Sequence, residues 1–334
     1  MSLKQSVIAA AAVLAALVRP APGQVQYGGY LAAAAFNGQA ESANPRWTTG
    51  DILAGFQAAG VVGQKFAFAA EARTLGVSSF ELNQAWVGFV PSPAIAVRAG
   101  LFLVPFGNWN RASRPHETPL IATPLNLEHL YPASWREVGA MVEGEVGILS
   151  YAGYIGNGLG GPADGPDPVQ RFRDNNANKG KGGRLGLKIG REARAGLSYY
   201  TGKYDDLGLY DLTFEGADLA WVTQQWEVHG EYTKALIDNA EPLGKGKSEG
   251  YSVWMLMGFR NFQPVGSFQK VSFEGPYYGQ DPGARGLRDR TRWTLGLRFV
   301  LNANLFLKVE YDWNKEKEPR VKDNVFQVQA ALRF

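Results

Sequence analysis

Apolar and polar side chains alternate along the C-terminal segment, residues 324–334. On one side of an extended chain every position is apolar: Phe326, Val328, Ala330, Leu332 and Phe334. The other side carries Gln327, Gln329 and Arg333 together with one alanine. Successive side chains of a β-strand point to opposite faces, so the segment is predicted to be a strand with one apolar and one polar face.

The same alternation recurs in segments 65–73, 226–232, 292–299 and 305–313, and in each of them the polar face carries charged residues. Charged side chains directed into a protein core would be costly in strand after strand unless each were paired, whereas charges directed at water cost little. Strands that are apolar outside and hydrated inside are typical of a water-filled transmembrane β-barrel. A soluble β-sandwich remains the alternative, because half-buried strands of soluble sheets alternate too.

Alternation and turn residues together predict sixteen strands along the chain. They lie near 25–36, 51–60, 65–73, 80–90, 94–104, 136–146, 148–157, 183–190, 193–202, 209–222, 224–237, 249–260, 265–275, 291–300, 304–314 and 324–334. Long and short connections follow one another, and the longest spans residues 105–135. We therefore predict an all-β fold: one transmembrane antiparallel β-barrel of about 16 strands over residues 24–334, with long extracellular loops and short periplasmic turns. The alternation is least regular over 209–275.

Composition supports an exported barrel. Of 334 residues, 41 are Gly, 12% are aromatic and none is Cys. An apolar run at 7–18 follows Lys4 and precedes small residues at Ala21 and Gly23, which predicts a signal peptide over residues 1–23. Without that segment 32 basic residues face 31 acidic ones, so the charge does not favour nucleic acid as a partner. The predicted location is the outer membrane of a Gram-negative cell.

Motifs for catalysis or cofactor binding are weak. The three histidines, His116, His129 and His229, do not have the spacing of metal ligands, and we expect no metal and no cofactor. His229 faces inward between Glu227 and Glu231, but a hydrolase would also need a serine from a neighbouring strand. We predict that the protein is not an enzyme.

The inward faces carry charges of both signs, which we expect to be hydrated by lumen water. The loop 105–135 combines polar residues with an apolar half, so we expect it to fold inward and narrow the pore, the alternative being an exposed lid. Candidates for the constriction and its selectivity come from this loop and from the wall: Arg111, Arg114, His116, Glu117, Arg98, Arg298 and Lys308. Opposed charges at a constriction set a modest ion preference.

Three segments resemble the phosphate-selective porin O and P family of outer-membrane proteins. They are Leu82-Asn-Gln-Ala-Trp-Val-Gly-Phe89, Val97-Arg-Ala-Gly-Leu-Phe-Leu-Val-Pro-Phe-Gly107 and Arg136-Glu-Val-Gly-Ala-Met-Val-Glu-Gly144. The resemblance implies a 16-stranded barrel, a homotrimer and a third loop folded into the lumen. It carries phosphate selectivity over poorly, because the loop offers Arg111 and Arg114 and no run of lysines.

We therefore predict an outer-membrane porin for passive diffusion of small hydrophilic solutes, with a mild anion preference. The alternatives are a substrate-specific channel for a sugar or a hydrophobic compound, and a plugged structural or enzymatic barrel. Expected partners are outer-membrane lipid, the permeating solutes, further copies of the chain and the outer-membrane insertion machinery, whose recognition signal the strand ending at Phe334 resembles.

Overall fold

The computed structural model describes residues 25–76, 79–160, 173–259, 261–278, 288–317 and 321–334. The predicted signal peptide lies outside the described residues. The strands are β1 (Val25–Gly38), β2 (Thr48–Val62), β3 (Phe66–Leu75), β4 (Ser79–Ser92), β5 (Ile95–Leu103), β6 (Arg136–Val146), β7 (Leu149–Gly156), β8 (Gly180–Ile189), β9 (Ala193–Lys203), β10 (Asp211–Val222), β11 (Trp226–Asp238), β12 (Lys245–Met257), β13 (Phe262–Glu274), β14 (Arg290–Val300), β15 (Leu305–Glu316) and β16 (Val325–Arg333). A 3-10 turn, Asn110–Ala112, and a short helix, α1 (Leu125–His129), lie between β5 and β6. Among the described residues, no helix is long and apolar enough to cross a bilayer.

The sheet closes on itself. Every strand pairs antiparallel with its neighbours in sequence, and β1 pairs with β16, with Ala33 opposite Ala330. Past the last pair of that seam, the Phe334 amide donates to the Gly29 carbonyl at 2.9 Å and the Gly29 amide donates to the Phe334 carbonyl at 2.8 Å. Closure satisfies the backbone groups that an open edge would expose to lipid. The predicted 16-stranded antiparallel barrel is confirmed.

Connections of two classes lie on opposite rims of the barrel. One rim, called here the long-loop rim, carries the connections 39–47, 104–135, 157–179 and 275–289 together with shorter ones. The other rim carries tight turns such as 63–65 and 147–148, where Gly63 and Gly147 take positive φ angles of 65° and 60°. A positive φ costs glycine little, so these turns reverse the chain in two or three residues.

Lipid-facing and lumen-facing positions follow the predicted alternation through most of the wall. In β14, Trp293 and Leu295 point outward with exposed fractions of 58% and 61%, whereas Arg292 and Arg298 point inward and are 6% exposed. In β11, Trp226 and Tyr232 point outward while Glu231 points inward. The outward apolar surface matches the band that a barrel presents to hydrocarbon.

The alternation reverses in β10–β13 next to the long-loop rim. There the inward side chains are apolar and buried, among them Leu212, Phe214, Ala235, Ile237, Val271 and Phe273. Outward positions carry paired charges, with Lys234 Nζ 2.9 Å from Glu215 and Lys247 Nζ 2.8 Å from Glu249. These ends lie beyond the outward aromatics Tyr232, Tyr251 and Phe268. The alternation of apolar and polar residues is irregular over 209–275 because the ends of β10–β13 at this rim face polar surroundings on the outside and packed side chains on the inside.

Candidate constriction in the lumen

The loop 105–135 folds into the lumen and crosses it. Near its start, the Gly107 amide donates to Ser198 Oγ in β9 at 3.2 Å. On the far side, the Ile121 amide donates to Glu310 Oε2 in β15 at 2.7 Å. The loop therefore contacts opposite walls of the barrel and does not form an exposed lid.

Asn110 ties the two ends of this loop together. Its Nδ2 donates to the Val104 carbonyl at 2.8 Å and to the Trp135 carbonyl at 2.9 Å, and its Oδ1 accepts from the Trp135 amide at 2.8 Å. The side chain is fully buried. A buried amide must satisfy both its donor and its acceptor groups, and here backbone atoms satisfy them. The loop thus has a narrow base from which it enters the lumen.

Two wall carboxylates each hold a pair of consecutive loop amides. Glu231 Oε1 in β11 accepts from the amides of Asn108 and Trp109, the latter at 2.6 Å. Glu310 in β15 accepts from the amides of Ile121 and Ala122 at 2.7 and 3.0 Å. Each carboxyl group thereby pairs two backbone N–H groups that would otherwise need another acceptor. These two carboxylates hold the loop at two points along its length.

Basic side chains of β14 and β15 donate to loop carbonyls. Arg298 Nη2 donates to the His116 carbonyl at 3.1 Å. Lys308 Nζ donates to Thr118 Oγ1 and to the Leu120 carbonyl, both at 3.2 Å, and it is only 1% exposed. Two of the three predicted wall candidates, Arg298 and Lys308, therefore hold the loop backbone.

Arg114 makes a buried ion pair with Glu71 in β3 of the wall. Its Nε lies 3.1 Å from Glu71 Oε1, its Nη2 lies 2.6 Å from Glu71 Oε2, and its Nη1 lies 3.1 Å from Glu117. The Tyr30 hydroxyl donates to Glu71 at 3.0 Å, and the Tyr30 ring lies 5.5 Å from the ring of His116. This geometry makes Arg114, His116 and Glu117 part of one packed cluster.

Arg111 takes a different direction from Arg114. Its Nη2 lies 2.9 Å from Glu143 Oε2 in β6, and Arg98 in β5 pairs with the same carboxylate. Arg184 in β8 pairs with Asp218 at 2.5 Å and donates to Asn108 Oδ1 at 3.4 Å, at the same end of the loop. The Arg111 side chain is 30% exposed, compared with 6% for Arg114. Arg111 is therefore the loop arginine accessible from the lumen.

Aromatic side chains pack between the loop and the wall. The rings of Phe106, Tyr131 and Trp135 contact those of Tyr200 and Phe214, with centroids between 4.7 and 6.2 Å apart. Together with neighbouring aliphatic residues they form a buried core inside the barrel. The expected water-hydrated lumen is therefore replaced by packed side chains in this part of the wall.

The sequence interpretation missed the role of the inward carboxylates. Glu71, Glu143, Glu231 and Glu310 were expected to be hydrated, but they are 1–8% exposed. Burial of a charge is costly, and here arginines and backbone amides offset that cost. One signal was present in the sequence: acidic residues at inward positions of several separate strands, facing a loop that carries arginines.

No protein-family model matches the sequence. An uncharacterized protein from Aquifex aeolicus (strain VF5) is 24% identical over 170 residues, which are 48% of this chain. The match spans 39% of that relative's own length.

Solved structures of outer-membrane proteins share the fold. OmpT of Vibrio cholerae in its trimer form superposes with a TM-score of 0.68 and 13% identity, covering 94% of this chain and all of that one. The anion-selective porin from Comamonas acidovorans gives a TM-score of 0.68 and 14% identity, covering 93% and 98% of the two chains. The outer-membrane channel DcaP of Acinetobacter baumannii gives a TM-score of 0.68 and 11% identity, covering 95% of this chain and 99% of that one.

These similarities agree with the predicted location in a Gram-negative outer membrane. They show a fold shared with porins, while the resemblance to the phosphate-selective porin O and P family stays a prediction. The chain has the fold of the 16-stranded outer-membrane porins.

Proposed function

We propose that this protein is a passive diffusion porin for small hydrophilic solutes, with a mild preference for anions, and that it is not an enzyme. The observation that carries the proposal is the loop 105–135, which narrows the lumen and leaves Arg111 accessible beside Arg98 and Arg184. An anion preference also agrees with the similarity in fold to an anion-selective porin.

The exposure of the charges at this point favours anions. The guanidinium groups of Arg98, Arg111 and Arg184 face the carboxyl groups of Glu143, Asp218 and Glu231, so the count is even, but the most exposed charge is that of Arg111, whose side chain is 30% exposed. Low-dielectric walls focus the field of such a charge and raise the local concentration of counter-ions. Because carboxyl groups compensate the positive charge, we expect a preference for anions and not an exclusion of cations.

The change Arg111→Ala is expected to move the reversal potential in a potassium chloride gradient toward cation preference. It removes the most accessible positive charge and leaves Glu143 paired with Arg98. The measurement is the reversal potential of single channels in planar bilayers. Lys245→Ala is the matched control, because the Lys245 side chain is 86% exposed at the long-loop rim and the variant should behave like wild type. An unchanged reversal potential in Arg111→Ala would assign the ion selectivity to residues of the barrel wall.

A homotrimer is part of the proposal. Small side chains occupy adjacent outward positions of β2–β4, where Ala58 is opposite Ala70 and Ala70 is opposite Ala85. Ala33 and Ala330 form a further small pair at the seam. Small residues allow two barrels to approach closely in a membrane. OmpT of Vibrio cholerae, which is similar in fold, has a solved structure of its trimer form.

The change Ala70→Trp should convert the trimer to monomers, because a bulky ring prevents close approach of two sheets. Native mass in mild detergent measures the outcome. Leu197→Trp on β9, where the wild-type leucine is 65% exposed, is the control and should remain trimeric. A trimer that survives Ala70→Trp would exclude this face as the interface, and a monomeric wild type would exclude the trimer.

The alternative of a plugged barrel is favoured by one observation, the aromatic core between the loop and the wall. A plugged barrel shows no steady open state in a bilayer, whereas a porin does. The enzymatic alternative has less support: His229 lies 3.1 Å from Glu227 and stacks on Trp254 at 4.1 Å, and no hydrogen bond to a serine is seen for it among the described residues. The role of Phe334 in assembly stays a prediction.

A further inference from the structure

A charged cavity of about 380 Å³ opens inside the barrel at the long-loop rim. It lies above β14 and β15, between α1 of the loop 105–135 and the residues 41–43 and 321–323. Its charged lining consists of Glu41, Glu128, Arg288, Arg290, Arg292, Glu316 and Asp323. Four carboxylates therefore face three guanidinium groups, and the cavity carries one net negative charge when all of them are ionised.

Glu316 and Asp323 are the most deeply buried carboxylates of this lining, with exposed fractions of 3% and 8%. Arg290 makes ion contacts with both, with its Nε 2.9 Å from Glu316 Oε1 and its Nη2 3.7 Å from Asp323 Oδ2. The Glu316 and Asp323 carboxyl groups contact each other, and no N–H of the described residues donates a hydrogen bond to Glu316 Oε2 or Asp323 Oδ1. Buried acceptors without donors are uncommon and call for a partner.

A second arginine of the lining, Arg292, already has other partners. Arg292 donates to Asn314 Oδ1 at 2.9 Å, to the Thr123 carbonyl at 3.0 Å and to Glu128 Oε2 at 3.1 Å. It therefore has its own partners and does not satisfy the Glu316–Asp323 pair. The cavity offers two free carboxylate oxygens to a ligand that brings N–H donors and a positive charge.

We propose that this cavity binds a small solute through a primary ammonium group, which donates to Glu316 Oε2 and Asp323 Oδ1. A primary ammonium carries three donors and one positive charge, which match the unpartnered oxygens and the net charge of the cavity. A quaternary ammonium has the same charge but no N–H donor, so it should bind poorly. The site lies at the entrance to the lumen, distinct from the arginine cluster at Arg111.

Acid should weaken this binding. Burial and the neighbouring Glu316 carboxyl raise the pKa of Asp323 to about 6. Above that pH the Asp323 carboxyl is ionised and accepts from the ligand, and below it a proton takes the place of the ammonium between the two groups. The other titratable or charged groups that face the pair are Glu41, Glu128, His129, Arg288, Arg290 and Arg292. The arginines stay charged throughout, so loss of affinity between pH 7.5 and pH 5 follows the carboxyl pair.

The test uses ethylammonium chloride and the full barrel folded in detergent, with binding followed by ligand-observed NMR titration. We expect saturable binding of ethylammonium to the wild type at pH 7.5, and binding of tetramethylammonium that is at least about tenfold weaker. In E316Q and D323N the binding of ethylammonium should be about tenfold weaker, because each variant loses a charge-assisted hydrogen bond. The control is E274Q, because the Glu274 side chain is 69% exposed on the outer wall, and it should bind like wild type. Folding of each variant is checked by heat-modifiable gel mobility. Asp323 lies in a connection between two strands, so D323N changes no strand residue.

Equal binding of tetramethylammonium and ethylammonium would overturn the proposal, since it would show attraction by net charge alone. Unchanged affinity in both folded variants would overturn it as well. The site does not require conduction, so its failure and that of the proposed function are distinguishable. Ethylammonium binding without single-channel conductance would contradict the porin and leave the site intact, whereas conductance without binding would remove only the site.

Discussion

The change Glu71→Ala is expected to release the middle of the loop 105–135 from the wall and to raise the single-channel conductance. Arg114 is 6% exposed and loses both of its contacts with the Glu71 carboxylate, at 3.1 and 2.6 Å. Removing one partner of a buried ion pair costs about 3–5 kcal/mol, because the remaining charge is left without compensation. Glu117 still contacts Arg114, so we expect the lower end of that range. Movement of the loop toward water lowers this cost, and the lumen widens as a result.

The measurement is conductance in planar bilayers, with Glu274→Ala as the control. Glu274 forms an exposed ion pair with Lys247 at 3.4 Å, and exposed pairs contribute at most about 1 kcal/mol. The double change Glu71→Ala with Arg114→Ala should be less destabilising than Glu71→Ala alone, because no uncompensated charge remains. Wild-type conductance in a folded Glu71→Ala barrel would show that this pair does not hold the constriction.

The change Leu295→Arg should lower the free energy of unfolding in bilayers by about 2–4 kcal/mol. Leu295 lies at the middle of β14, points outward and is 61% exposed on the surface that faces lipid. Arginine at the bilayer midplane must either desolvate its charge or bring water with it. Urea unfolding of the barrel in liposomes measures the change.

Leu207→Arg is the matched control for this substitution. Leu207 is 80% exposed in the connection 204–210 at the long-loop rim, where an arginine reaches water. Its free energy of unfolding should stay within about 0.5 kcal/mol of wild type. Equal losses in the two variants would mean that β14 does not face hydrocarbon at Leu295.

Strand number and wall orientation were predictable from the sequence because both depend on local patterns. The period of two assigns each side chain to one face, and Trp293, Leu295 and Arg292 lie where that rule places them. The polarity of the two faces reversed near the long-loop rim of β10–β13, where Phe214 faces in and Glu215 faces out. The rule identifies faces but does not say whether lipid or a packed core covers each one.

Only the tertiary structure decided how the lumen charges are used. Arg111 and Arg114 are three positions apart in one polar segment, and the sequence predicts the same role in the constriction for both. The fold directs Arg111 to Glu143, 32 positions away, and Arg114 to Glu71, 43 positions away, so one stays accessible and the other is buried.

The sequence by itself determined the sixteen strands, their inward and outward faces and the presence of one long loop, because alternation and turn residues act between neighbours in the chain. The tertiary structure alone decided that this loop is held inside the barrel and by which groups. Lys308 donates to the Leu120 carbonyl across 188 positions, and Glu310 accepts from the Ile121 amide across 189. Contacts of that separation form only when the barrel closes and brings β15 opposite the loop, so no local pattern encodes them.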